Sequence, residues 1–369
     1  CIRDRNKSCL IGFLMCSAFS LVVQAATDGA HITKTISQIE RKKGIKRTIQ
    51  YRPDGNDFVC VNGKNRYTRA LYGGITDFRI ETSDRPVFAT YKPKDSKHIC
   101  FRLQCGNQSI ALDSLKFCEA RYRAGRRTYR LTDPLLGKGE LNISVLAFPD
   151  AEGGIWRFTM KDMPEGALLH CYISEIRAKN LSRNGDMGAD RADSFDAPQL
   201  PKEQKHYKLS LDGTTAYIVV EDQELRLPAL VEGTSLYDKS EKWRSEIESS
   251  LQISTPDPYF NPLGGALAAA ADGIWDGKIW LHGAIGWRSQ LNGWRAAYIG
   301  DFIGWHDRAR THFDSYAASQ VTDVPATIPH PTQDTALHLA RSVKKWGTPH
   351  YSNGYICRTP YRKDQMHHY

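Results

Sequence analysis

The strongest constraint on the fold is a change of period near Asp257-Pro258. From about residue 46 to 222, β-branched and aromatic residues alternate with polar ones, as in 47–51, 98–105, 127–131, 141–148 and 215–220. Alternation at period two suits strands with one wet face. Turn signals break the runs at Pro53-Asp54-Gly55, Asn62-Gly63, Gly73-Gly74, Gly153-Gly154 and Asp212-Gly213. Many short strands with frequent turns predict an antiparallel β-sandwich. Within it, residues 178–205 read as a polar, solvated loop. Its carboxylates Asp186, Asp190, Asp193 and Asp196 do not have the spacing of an EF-hand calcium loop.

Helical periodicity begins with 234–249, where Leu236, Trp243 and Ile247 are spaced seven and four apart. Asn261-Pro262 reads as an N-cap followed by Pro at the first helical position, opening a helix over 263–272. A long helix follows over about 294–319, then a linker over 325–331. A last helix, 333–346, is stopped by Gly347 and Pro349. The chain has 369 residues, which at roughly 150 per domain suggests about two. Only 369 − 258 = 111 of them follow the change of period. Twelve helices with their connections need at least about 216.

Arg3, Arg5 and Lys7 precede an apolar run over 9–23 of about 15 residues, too short to span a bilayer. Val23-Gln24-Ala25 supplies the small residues a signal peptidase reads, so cleavage is expected after Ala25 or Ala26. The mature chain is then secreted or periplasmic, with no membrane span. Removing Arg3, Asp4, Arg5 and Lys7 takes the net charge from +9 to 9 − 2 = +7. Six cysteines remain: Cys60, Cys100, Cys105, Cys118, Cys171 and Cys357. Export permits disulfides, but a chain of this size can bury a core without them, so buried thiols and bridges are both open. The chain begins at Cys1 and stops at His367-His368-Tyr369 without a helix stop, which reads as a fragment.

Five of the eight tryptophans lie between Trp275 and Trp305, among glycines and arginines. Ring faces pack on apolar sugar faces and guanidinium forks bind hydroxyls and carboxylates, so this density suits a carbohydrate subsite. Packing between helices is the competing reading, because tryptophan is highly buried on average. On one continuous helix, Trp294, Tyr298, Asp301 and Trp305 fall at i, i+4, i+7 and i+11, one stripe. A second, mixed stripe holds Ile299, Ile303, His306, Arg310 and Phe313. Asp301 would then be a carboxylate on an otherwise buried face, and must be paired, hydrogen-bonded or functional. Arg288 and Arg295 are its nearest candidate partners, and a structural Asp–Arg pair is the alternative.

No metal or cofactor is expected. His306 and His312 stand six apart rather than the four of a metal helix, and no GxSxG, HExxH, P-loop or GxGxxG motif occurs. Basic residues are dispersed, which argues against nucleic acid.

Residues 259–275, Gly286-Trp287-Arg288 and residues 293–305 resemble the opening of six-hairpin, (α/α)6-barrel glycosidases. More narrowly, they and the early motif over 62–73 resemble a group of exported proteins of Bacteroides-type bacteria that carry a β-sandwich ahead of such a barrel. The resemblance implies a signal peptide over 1–26, a sandwich domain over 27–250, and the first helices of an (α/α)6 toroid over 251–369. It also implies an aromatic-Arg/Trp-Asp element in the first hairpins whose Asp and Arg hold hydroxyls of the sugar. Asp301 with Trp294 and Arg295 is similar in type, the Arg and Asp here standing six positions apart.

The candidate site is therefore Asp301 as the catalytic carboxylate, with Trp287, Arg288, Trp294, Arg295, Tyr298, Trp305 and His306 binding an oligo- or polysaccharide. The expected activity is glycoside hydrolysis by carboxylate acid/base chemistry, which places two carboxyls about 5–10 Å apart. A polysaccharide lyase would instead use Tyr298 or His306 as base and Arg295 against a uronate. A non-catalytic glycan-binding protein would use the same surface.

Overall fold

The computed structural model describes residues 50–186, 190–285, 288, 294–320, 330–331 and 346–347. The expected signal peptide, Trp287, Cys357 and most of the expected helix at 333–346 lie outside them, as do the side chains of Trp294 and Arg295. Trp346-Gly347 pairs with His330-Pro331 in a two-residue antiparallel ladder.

Fifteen strands make the N-terminal part. In chain order they are β1 (Arg52–Asp54), β2 (Asp57–Val61), β3 (Arg69–Tyr72), β4 (Arg79–Thr82), β5 (Val87–Tyr91), β6 (Lys97–Cys105), β7 (Gln108–Ala111) and β8 (Phe117–Arg123). Then come β9 (Arg126–Thr132), β10 (Glu140–Ala147), β11 (Gly153–Lys161), β12 (Leu168–Glu175), β13 (Gln204–Ser210), β14 (Thr215–Glu221) and β15 (Glu224–Arg226). They form an eight-stranded sheet, β1-β2-β8-β9-β10-β11-β14-β15, and a seven-stranded sheet, β13-β12-β6-β5-β4-β3 with β7 on β6. Pairing is antiparallel throughout, as the alternation predicts. Gly153 and Gly154 stand inside β11 rather than in a turn.

The inward residues of both sheets build one core. Phe88 sits at its centre, with Phe101, Tyr129 and Trp156 edge-on to it at 5.6–5.8 Å. Such tilted contacts suit the ring quadrupoles. An ion pair enters this interior: Arg127, fully buried on β9, donates to Tyr51 Oη (2.7 Å) and Ser83 O (2.9 Å) and pairs with the equally buried Asp84 at 3.7 Å. Asp84 also accepts from the Asn65 amide and Thr68 Oγ1. The cysteines here are free thiols: Cys60, Cys118 and Cys171 are buried, and Cys100 and Cys105 half-buried.

The loop over 178–205 is anchored rather than solvated. Phe195 is fully buried against Tyr67, and Asp196 accepts from Tyr67 Oη and Arg66. Asp190 accepts from the amides of Ser182, Arg183 and Gly185, and Asp193 pairs with Arg177 and Arg191. These three carboxylates are thus spent on closing the end of the sandwich.

Among the described residues four helices follow: α1 (Leu230–Ser249), α2 (Leu263–Gly273), α3 (Trp294–Phe302) and α4 (His306–Ala317). α1 starts four residues before the expected Thr234. It lies on the outer face of the eight-stranded sheet, where Tyr237 packs with Leu146, Ile155, Tyr217 and Val219. α1 packs with α2, and α3 with α4. Asn261 does not cap α2: its Oδ1 accepts from the Thr255 amide instead. No described helix is long and apolar enough to cross a membrane.

The long helix expected over 294–319 is two helices. Gly304, at φ +83°, ends α3, with the Trp305 amide bonded to Gly300 O (2.7 Å) and the Gly304 amide to Asp301 O. These are the two bonds of a Schellman motif, and Gly tolerates the left-handed position it needs.

Candidate functional site

The break at Gly304 takes Trp305 off the stripe it was expected to share with Tyr298 and Asp301. Tyr298 is 64% exposed and the Asp301 side chain 76% exposed. Among the described residues Asp301 meets His306, whose Nδ1 lies 3.0 Å from Oδ1, and not Arg288; the side chain of Arg295, its other expected partner, lies outside them. His306 is itself exposed at the start of α4. The second stripe is likewise split: Ile303 is buried, whereas Arg310 reaches solvent beside Asp307.

Arg288 turns to the sandwich. Its Nε donates to Asp77 Oδ1 (2.8 Å) and its Nη2 to Thr76 Oγ1 (2.7 Å), and Thr76 in turn donates to Trp275 O. Arg288 is therefore a strap between the sandwich and the helical part. Trp280 is fully buried, with its Nε1 donating to Ala271 O and its amide to His312 Nδ1. A Cβ on Gly300 would lie 2.0 Å from its ring, so α3 can approach only through glycine there. Trp275 packs on Trp280 at 4.7 Å, and Trp305 donates to Ser250 Oγ. For these three tryptophans, packing between elements is what the geometry gives.

The carboxylate held among aromatics is a different one, Asp272 at the end of α2. It is 4% exposed. Arg308 donates to it at 2.7 Å, and the guanidinium lies 4.5 Å from the Trp305 ring and 5.6 Å from Trp275. Burial raises the Asp272 carboxyl above its ordinary range, and Arg308 pulls it back only in part. Asp272 shares the buried face of α2 with Gly264, Ala268 and Ala271, a placement its four-residue step from Ala268 already signals.

Asp272 also borders a cleft of about 290 Å³ between the sandwich and the helices. Tyr72 and Tyr122 line it from the strands, and Trp243, Arg244 and Ile247 from α1. Arg69 closes one side; its guanidinium faces the rings of Tyr51 and Tyr122, and its Nη1 donates only to Thr68 O. An apolar cleft with a few converging polar groups and a desolvated carboxylate is what a small-ligand site requires. Ala124 is shared with a larger, polar cleft of about 750 Å³ that runs between Asn56 and Arg123 on the sandwich and Ser245, Glu248 and Asn261 on the helical side. Burial pushes the Glu248 carboxyl up, but hydrogen bonds from Arg123 (2.7 Å) and Arg244 (2.7 Å) outweigh it and hold it below the usual range.

The Asp272 shift has a testable sign. The fold favours the neutral acid, so the stability it contributes is present below about pH 4, the unfolded value, and is lost as pH rises through the folded value. Asp272→Asn is expected to abolish that component: its Tm falls less than that of the parent between pH 4 and neutrality. Thermal melts across this window check it, and parallel curves would show that Asp272 is ionised without cost.

Comparison with curated proteins finds no match to the chain. Residues 93–220, running from just before β6 to the end of β14, match the family model described as a domain of unknown function, DUF4450.

Proposed function

We propose that this chain belongs to an exported, carbohydrate-active protein, that its two adjoining junction clefts bind an oligo- or polysaccharide, and that α1–α4 open a toroid of helical hairpins. The observation that carries the reading is Asp272: a desolvated carboxylate beside a cleft that also offers Trp243, Tyr72 and Tyr122 rings and the Arg69 fork. Rings can stack on the apolar face of a sugar, while Arg69 and Asp272 supply a donor and an acceptor for its hydroxyls. The polar cleft next to it, lined by serines, Asn56 and Asn261, would extend the path for a chain of several sugars.

Hydrolysis is the activity we attach to this surface. Asp301 lines neither cleft; exposed on α3 and hydrogen-bonded to His306, it is the solvent-facing carboxylate to which we assign this chemistry in the full-length protein. In the full-length protein Asp301→Asn is then expected to cost about 2–4 kcal/mol in kcat/KM while leaving the melting curve unchanged.

The test is electrophoresis of the chain through gels carrying xylan, mannan, β-glucan or polygalacturonate, followed by product analysis. Retardation in at least one gel is expected, and the full-length protein should give new reducing ends and no unsaturated sugar. An ultraviolet-absorbing unsaturated product would replace hydrolysis by a lyase reaction. Free migration in every gel contradicts the glycan reading.

A further inference from the structure

We propose that the uncovered part of the eight-stranded sheet's outer face is a second glycan site, one that takes an anionic chain bearing uronate or sulfate-ester groups. α1 covers the apolar part of that face and meets its polar edge through Tyr237 and Glu241. Beside it, the strand register sets two polar rows across β9, β10 and β11: Thr128, Ser144 and Arg157 in one, Arg130, Asn142 and Thr159 in the next. They line an open groove of about 320 Å³ bounded by Tyr237.

Arg157 anchors the site. Its guanidinium carbon lies 3.8 Å from the centre of the Tyr237 ring, and among the described residues it meets no carboxylate. The ring is itself fixed, because Tyr237 Oη and Ser144 Oγ share a 2.7 Å hydrogen bond. On the same face Arg126 Nε is buried with no partner, although Nη1 of that residue holds Glu241. The nearby carboxylates are already engaged: Glu119 by Arg121 and Arg130, Glu140 by Arg130 and Asn142, and Glu241 by Arg126 and Arg244.

A stacked, rigid fork, an unmet guanidinium donor and a row of hydroxyls favour a planar or tetrahedral anion on a hydroxyl-rich ligand. Tyr237 is buried beneath Arg157, so no open ring face is offered for a nucleobase to stack on. The inference shares the glycan reading above but not its place, since the groove and the junction clefts have no lining residue in common apart from the sheet that carries them.

The experiment is electrophoresis of the whole chain at one ionic strength through gels carrying polygalacturonate, dextran sulfate or neutral dextran. Retardation by polygalacturonate or dextran sulfate is expected, the stronger arm telling carboxylate from sulfate ester, with none by dextran. Arg157→Gln should weaken it about tenfold or more, a fold-change of the size that loss of a bidentate charge-assisted contact gives. Thr159→Glu, which adds a negative charge without removing an arginine, should weaken it similarly. Arg102→Gln, on the outer face of the other sheet, should leave it unchanged. Equal loss in Arg102→Gln would reduce the effect to the chain's net charge of +9, and a loss in Ala270→Trp, which fills the junction cleft, as large as that in Arg157→Gln would move the anion to the cleft. Either result, or free migration of the parent in both anionic gels, overturns the proposal.

Discussion

Arg127→Ala is expected to destabilise the sandwich by about 3–5 kcal/mol, the cost of removing one partner from a buried ion pair. Nothing can replace the guanidinium, because it and Asp84 are both fully buried. Its loss strands the Asp84 carboxylate and leaves Ser83 O with Tyr129 Oη as its remaining side-chain donor. Tyr51 loses a hydrogen bond as well. Urea melts with a tryptophan-fluorescence readout would measure it. For contrast, Arg226→Ala removes a half-exposed ion pair with Glu232 and should cost less than about 1 kcal/mol. Similar costs for the two variants would mean that water reaches Arg127.

Trp280→Ala is expected to cost a similar amount, about 3–5 kcal/mol, by transfer and cavity together. Its effect should be local. The ring fills the space between α2, α3 and α4: it touches Gly300, bonds to Ala271 O and stacks near His312. Native-state hydrogen exchange should therefore show amides of α3 and α4 exchanging faster while those of β9–β11 keep their protection. Uniform loss of protection would show that the helices and the sandwich unfold as one unit.

The sandwich is legible in the sequence because inward and outward residues alternate over 98–105, 127–131, 141–148 and 215–220, and each of these stretches is a strand. The loop ending at Asp196 is less legible, since its role depends on Arg66 and Tyr67, about 130 positions away. The site diverges from expectation for two identifiable reasons. Treating 294–319 as one period overlooks Gly304, a glycine inside a helical run and the available sign of a C-terminus. Asp301 itself lies within α3, on a stripe that Tyr298 shares and that faces solvent rather than a core. The partners of Arg288 and Asp272 come from Asp77 and Arg308, contacts at separations of 211 and 36 residues that no local pattern encodes. Asp272 itself was readable as a charged residue on the small-residue face of α2.

The central claim is that the junction cleft beside Asp272 holds sugar. Ala270→Trp tests it most directly, because Ala270 lines the cleft and the larger side chain fills that space without removing a native hydrogen bond. Isothermal titration should use the oligosaccharide released from whichever neutral polysaccharide retards the parent chain. Ala270→Trp should melt close to the parent and show no measurable heat of binding. Unchanged affinity in a folded Ala270→Trp variant would contradict it.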